Sequence, residues 1–158
     1  MALFEKGVLV HGGVIPGGQH RTYRVRHVIT SAQLLALNAT EQTIVPAPGA
    51  GLVLIFEGAV IHKPAGTAYA GIAAGEDLAV KYTDKNGLEV GRCETTGFLD
   101  STANQIRYCN GHRAASGVSS FTPVENAALV LHLLAGEILT GDSDLNIETH
   151  YRVVNAAP

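Results

Sequence analysis

The chain has 158 residues, 46% of them hydrophobic, with 18 Gly, 6 Pro and a formal net charge of −3. That length supplies one domain with a real core and too little chain for two. Apolar runs between Gly and Pro rarely exceed about ten residues, which excludes long helices and a helical membrane span, so a soluble chain with no membrane partner is expected.

The segment from Met1 to Gly7 carries a lone Lys6, and no apolar core of secretory length precedes His11-Gly12-Gly13. This predicts a chain made and assembled in a cytoplasm. Val8–Val10 and Thr22–Ile29 read as two short strands around the glycine-rich stretch from His11 to Gly18. Residues 1–29 are therefore expected to form an extended N-terminal arm, and residues 30–158 the folded domain.

Charge divides along the same line. Residues 1–30 hold Lys6, Arg21, Arg24 and Arg26 against Glu5, a balance of +3, while residues 31–158 hold seven basic and thirteen acidic residues, a balance of −6. His11, His20 and His27 add positive charge to the arm at low pH. Two readings of Arg21 to Ile29 stand side by side. Tyr23 and Val25 alternate with basic residues as in a solvated edge strand. Equally, Arg21, Tyr23, Arg24, Arg26 and His27 could dock on an acidic neighbour, either another subunit or a larger surface. Nucleic acid is not the expected partner, because the patch is short and the acidic body repels phosphate.

At Thr30-Ser31-Ala32-Gln33 a hydroxyl residue precedes Gln by three positions, the capping-box spacing. With Leu34, Leu35 and Leu37 following and Asn38 ending the turn, a short helix is predicted that needs packing on the sheet to persist. Gln42–Val45 reads as a strand closed by Pro46-Ala47-Pro48-Gly49. Residues 52–62 are apolar on both alternating faces, which predicts a strand covered on both sides. Ala68 to Gly75 suits a tight loop. Leu78, Val80 and Tyr82, the turn Asp84-Lys85-Asn86-Gly87, then Leu88 and Val90 make the strongest hairpin signal.

Gly97 to Ala103 predicts a bend or single helical turn capped by Asp100, leading to a strand over Gln105–Cys109. Small and polar residues from Asn110 to Ser120 predict an exposed loop. Ala127–Leu134 is an apolar strand. Leu145, Ile147, Thr149, Tyr151 and Val153 alternate with Asn146, Glu148, His150 and Arg152, the pattern of a strand with one wet face. Some eight strands at short spacing predict an all-β domain, a jelly roll or β-sandwich with one short helix.

No constellation of residues brings catalysis with it. His62, His132 and His150, with Glu76, Asp77, Asp142 and Asp144, are the candidate ligands, but no His-x-His pair occurs and Asp142-Ser143-Asp144 lacks the oxygens of a calcium loop. A partly buried, hydrogen-bonded imidazole is the expected state of His132. No Ser occupies a Gly-x-Ser-x-Gly elbow, Ser116 being a loop residue, and no glycine stretch ends as a phosphate loop does. Cys93 and Cys109 form no Cys-x-x-Cys or Cys/His cluster and are expected to stay free thiols. Paired carboxylates stay open, since their geometry is not written in sequence. The expectation is a non-enzyme without metal or cofactor.

Thr30 to Thr40, Ile44 to Gly49 and Tyr69 to Leu78 resemble segments of small virion proteins of tailed bacteriophages. Thr95 to Asp100, Pro123 to Ala127, and Thr140 to Val154 extend the likeness to about four fifths of the chain. The resemblance implies a head decoration, or cement, protein: one that binds the outside of the major capsid shell after assembly in the host cytoplasm, often as a homotrimer. A tail, head-fibre or receptor-binding component is the alternative, and a metal- or sugar-binding enzyme on a jelly roll a second one. A basic arm on an acidic shell would make attachment salt-sensitive. Deleting residues 1–29 is then expected to leave a folded domain that no longer binds capsids, whereas an arm exchanged between subunits would cost the trimer.

Overall fold

Period-two alternation through most of the chain leaves strands as the way to bury its apolar residues, and strands dominate the computed structural model. The structure describes residues 3–5, 8–10, 21–111, 122 and 124–156; the glycine-rich stretch at 11–18 and the greater part of the loop expected at 110–120 lie outside them. A small antiparallel hairpin pairs β1 (Leu3–Glu5) with β2 (Val8–Val10). The main sheet contains β3 (Thr22–Ile29), β4 (Gln42–Val45), β5 (Leu52–Lys63), β6 (Leu78–Tyr82), β7 (Glu89–Cys93), β8 (Gln105–Gly111), β9 (Leu129–Leu133) and β10 (Leu145–Asn155).

Their order is β3, β10, β5, β8, β7, β6, β9, β4, and every pairing is antiparallel. The first main strand pairs with the last, the second with the seventh, the third with the sixth and the fourth with the fifth. Such nested pairing is a long hairpin rolled up on itself, the winding of a jelly roll. Two four-stranded halves result, β3, β10, β5, β8 and β4, β9, β6, β7. They join where Gly91 and Arg92 pair with Gly111 and Asn110, and β3 comes beside β4 at the opposite seam. The all-β jelly roll expected from the strand spacing is the fold observed.

Between the halves lies one core, built from the inward residues of both, including Ile29, Leu54, Ile61, Leu78, Tyr82, Leu131, Leu133 and Leu145. The helix α1 (Ser31–Leu35) closes one end of it. Thr30 caps that helix with the reciprocal Gln33 contact expected, the Ser31 N–H donates to the Asp144 carboxylate at 2.8 Å, and Leu34 and Leu37 are fully buried. The β6–β7 hairpin also forms where its turn signal stood.

Three local expectations change. The boundary drawn between residues 29 and 30 falls inside the sheet: β3 pairs with β10 over its whole length, from Ile29 opposite Leu145 to Thr22 opposite Arg152, and Val25 and Ile29 are buried. Alternation puts Tyr23, Val25, His27 and Ile29 on the inner face, and an inner apolar row is stable only against a core. The strand β5 is not covered on both sides by the described residues, because none of their elements forms a layer over the outer face of its half; Ile55, Val60 and His62 stay half-exposed and Glu57 exposed. Asp100 caps nothing, since the turn at 96–100 starts earlier, with the Phe98 and Leu99 amides both donating to the Thr95 carbonyl.

Candidate functional site

The uncovered outer face of β3, β10, β5 and β8 is where chemistry meets solvent. Register brings its side chains into rows: Arg26, Glu148, Val60 and Tyr108 lie across the four strands, and Val28, Asn146, His62 and Ile106 form the next row. Val28, Ile106 and Tyr108 are exposed.

A ladder of charge runs beside them. Arg26 Nε lies 2.7 Å from Glu148 Oε2, Arg24 Nη1 lies 3.8 Å from Oε1, and His150 Nε2 reaches Oε1 at 3.1 Å. The hydrogen bond from Arg26, then that from His150, holds the Glu148 carboxyl below its ordinary range. One row on, Arg152 Nε sits 2.6 Å from Glu57 Oε1 while the Thr22 hydroxyl donates to Oε2 at 2.8 Å.

The five residues expected to dock as an arm divide between two faces. Arg24 and Arg26 point outward, their side chains 71% and 80% exposed, and Arg21 is exposed just ahead of the strand. Tyr23 and His27 point the other way. Tyr23 is half-buried and stacks on Tyr151, with ring centroids 5.7 Å apart. It belongs to the packing of β3 on β10 rather than to a contact surface.

A break in the ladder opens the middle of the face. The register of β10 on β5 shifts between His150 and Tyr151, so that His150 pairs with Gly58, Tyr151 with Phe56, and Glu57 is the extra residue. Such a bulge re-aims side chains and is most easily made with glycine beside it. Gly58 has a φ of +154°, and a Cβ there would meet the Cys109 carbonyl oxygen at 3.1 Å. With no side chain at Gly58, an open hollow of about 300 Å³ forms between Glu57, Val60, Tyr108, Asn110 and His150. Tyr108 stands at its side, 69% exposed.

None of these hollow residues except His150 was singled out by sequence reasoning. A signal for Tyr108 existed in the alternation of Ile106, Tyr108 and Asn110 with Arg107 and Cys109, but it does not say which set points out.

The candidate metal ligands do not converge. His62 hydrogen-bonds Asn104 at 2.5 Å on the outer face, His150 serves Glu148, and His132 lies in the other half. Asp142 accepts the Thr67 N–H at 2.7 Å and hydroxyl at 2.8 Å, Asp144 holds the helix start, Glu76 accepts the Ala73 N–H, and Asp77 faces Arg92 at 3.7 Å. Among the described residues no group of three or more His, Cys, Asp or Glu side chains is placed to share a cation.

His132 carries a pH prediction. Its Nε2 lies 3.1 Å from the Asn38 carbonyl oxygen, so that nitrogen bears the proton, and Nδ1 is buried without a partner. Burial lowers its pKa; the Asn38 carbonyl opposes this, and Lys81 and Lys85 add to it. The unfolded chain, with an ordinary imidazole near about 6.5, takes the proton first as pH falls. Stability present above that pH should therefore decline as pH falls below about 6.5, and the decline should be smaller in His132→Gln, whose amide can still donate to Asn38. Thermal unfolding through that fall in pH checks it; identical slopes for the two proteins would contradict it.

Cys93 and Cys109 are free and buried on β7 and β8, one residue beyond the last pairing of the seam. Burial pushes the Cys93 thiol up to about 11, and burial and then Cys93 push Cys109 higher still. Because the thiolate is the nucleophile, Ellman's reagent at about pH 8 should label neither in the folded protein and both after unfolding in guanidinium. Prompt labelling of the native protein would refute the buried placement.

No family model matches the chain, and no curated protein matches it. Among solved structures, a family 6 carbohydrate-binding module from Clostridium cellulolyticum, in complex with xylose, is similar over 78% of this chain and 95% of that one. Identity is 14% and the TM-score 0.38, a likeness too distant to inform on function.

Proposed function

We propose that this chain is a non-catalytic jelly-roll protein of a phage virion that binds the outside of the major capsid shell, as a homo-oligomer of the trimeric kind that the resemblance implies. Two things support the reading: the resemblance of about four fifths of the chain to small virion proteins, and the rim of the domain. The rim carries it. Arg24 and Arg26 lie exposed on the edge strand β3 with Arg21 just ahead of it, and these three arginines account for the positive balance of residues 1–30, since Lys6 is offset by Glu5. A basic edge beside an acidic body orients the domain on an acidic surface and makes binding fall with salt. Attachment then runs through residues 1–20 and that rim, and repetition over the shell multiplies a modest contact.

Catalysis is not proposed, because Glu57, which lines the hollow, is held by Arg152, and Arg26 holds the neighbouring Glu148 carboxyl below its ordinary range. Quantitative mass spectrometry of purified particles, scaled to the major capsid protein, tests the reading. Hundreds of copies fit decoration of the shell; absence from the particle overturns it. A handful of copies would favour a fibre or receptor-binding component instead, a second reading that draws on the open hollow at Tyr108.

A further inference from the structure

The geometry of the hollow beside Tyr108 points to a function beyond attachment: we infer that it is a binding site for a neutral saccharide. A volume of about 300 Å³ is at the small end of ligand sites and suits a sugar residue rather than a folded segment. The tyrosine ring, 69% exposed and held on a paired strand, offers a flat apolar surface of the kind the C–H face of a pyranose covers.

Hydrogen-bonding groups stand around that surface. The Asn110 amide both donates and accepts, and the Glu57 oxygens, each using one partner, retain lone pairs for hydroxyl donors. His150 lines the hollow and spends Nε2 on Glu148. Gly58 keeps the floor open.

Charge selects the class of ligand. Arg152 is matched by Glu57 and Arg26 by Glu148, while Arg24, 3.8 Å from the same carboxylate, leaves its excess charge on β3, outside the residues that line the hollow. An anion therefore meets carboxylates and arginines already engaged, and a cation meets carboxylates already neutralised. A neutral polyol asks only for hydrogen bonds and a ring to lie on. The hollow is lined by residues of β5, β8 and β10 and by none of β3, the rim to which attachment is assigned, although His150 pairs with Arg24 there.

The test titrates the full chain with methyl glycosides of glucose, galactose, mannose, xylose and N-acetylglucosamine, and with glucuronate and adenosine monophosphate, by saturation-transfer NMR. At least one neutral sugar should bind with a Kd near about 1 mM, the range of a single shallow contact. Tyr108→Ala should weaken it at least about tenfold, with thermal unfolding unchanged because the side chain is exposed, and Tyr108→Trp should retain it. Absence of saturable binding by every neutral sugar at about 50 mM, well above that Kd, would overturn the site. So would unchanged binding in Tyr108→Ala, or tighter binding of glucuronate or the nucleotide. Removing residues 1–20 should abolish particle occupancy and leave the sugar titration intact, while Tyr108→Ala does the reverse, so either assignment can fail alone.

Discussion

Replacing Gly87 with alanine is expected to destabilise the protein by about 3 kcal/mol, at the upper end of overpacking costs. Gly87 closes the turn between β6 and β7, its N–H donating to the Asp84 carbonyl at 3.0 Å while the Asn86 N–H donates to the Asp84 carboxylate at 2.8 Å. An added Cβ would lie 1.7 Å from the Tyr82 carbonyl oxygen and 2.8 Å from its carbon. Those are backbone atoms, so no rotamer change relieves the clash. Either the turn opens or the end of β6 moves, and Tyr82 cannot move cheaply: it is buried, its hydroxyl donates to the Leu54 carbonyl, and its phenol is pushed up to about 12 by that burial. Asn86→Ala is the control, because the contact there uses the backbone N–H and should cost less than about 1 kcal/mol. Urea unfolding of the two variants settles it; a Gly87→Ala cost below about 0.5 kcal/mol, the size of a neutral surface change, would mean the turn does not require glycine.

This hairpin was readable in sequence because its determinants are local. So was the Thr30–Gln33 capping box, where both partners sit within four residues. The nesting of strand pairs was not readable, since which strands meet across fifty or a hundred residues is decided by burial of the whole core. Within β8 the pattern does not say which face is inner. Arg107 points inward, its guanidinium 5.8 Å from the Phe98 ring and donating to the Thr96 carbonyl at 3.1 Å, which sends Ile106 and Tyr108 out to solvent. A charged residue satisfied inside leaves the parity undecided by hydropathy, and the hollow was missed with it. The edge strand β3 was ambiguous for a different reason. Alternating Arg24, Val25 and Arg26 fits a docking arm and a half-buried strand equally, and only the presence of β10 as partner decides.

That decision changes what truncation means. Removing residues 1–20 should leave unfolding little altered, because the paired β1 and β2 make a sheet of their own and the main sheet begins at Thr22. Removing residues 1–29 should instead unfold or aggregate the protein. Val25 and Ile29 lose their burial, about 3–6 kcal/mol together at the usual value per side chain. Tyr23 no longer stacks on Tyr151, and the Thr30 cap loses the strand that leads into it. Against a total stability of about 5–15 kcal/mol this is a large part of the margin, and β10 would be left as a bare edge open to pairing with other chains. Circular dichroism and thermal unfolding of the two truncations separate them; equal melting temperatures would show that β3 contributes no stability. The consequence reaches function, because loss of capsid binding on deleting residues 1–29 reports a broken sheet. Only the shorter deletion, which spares Arg24 and Arg26, asks whether the N-terminal segment attaches the domain.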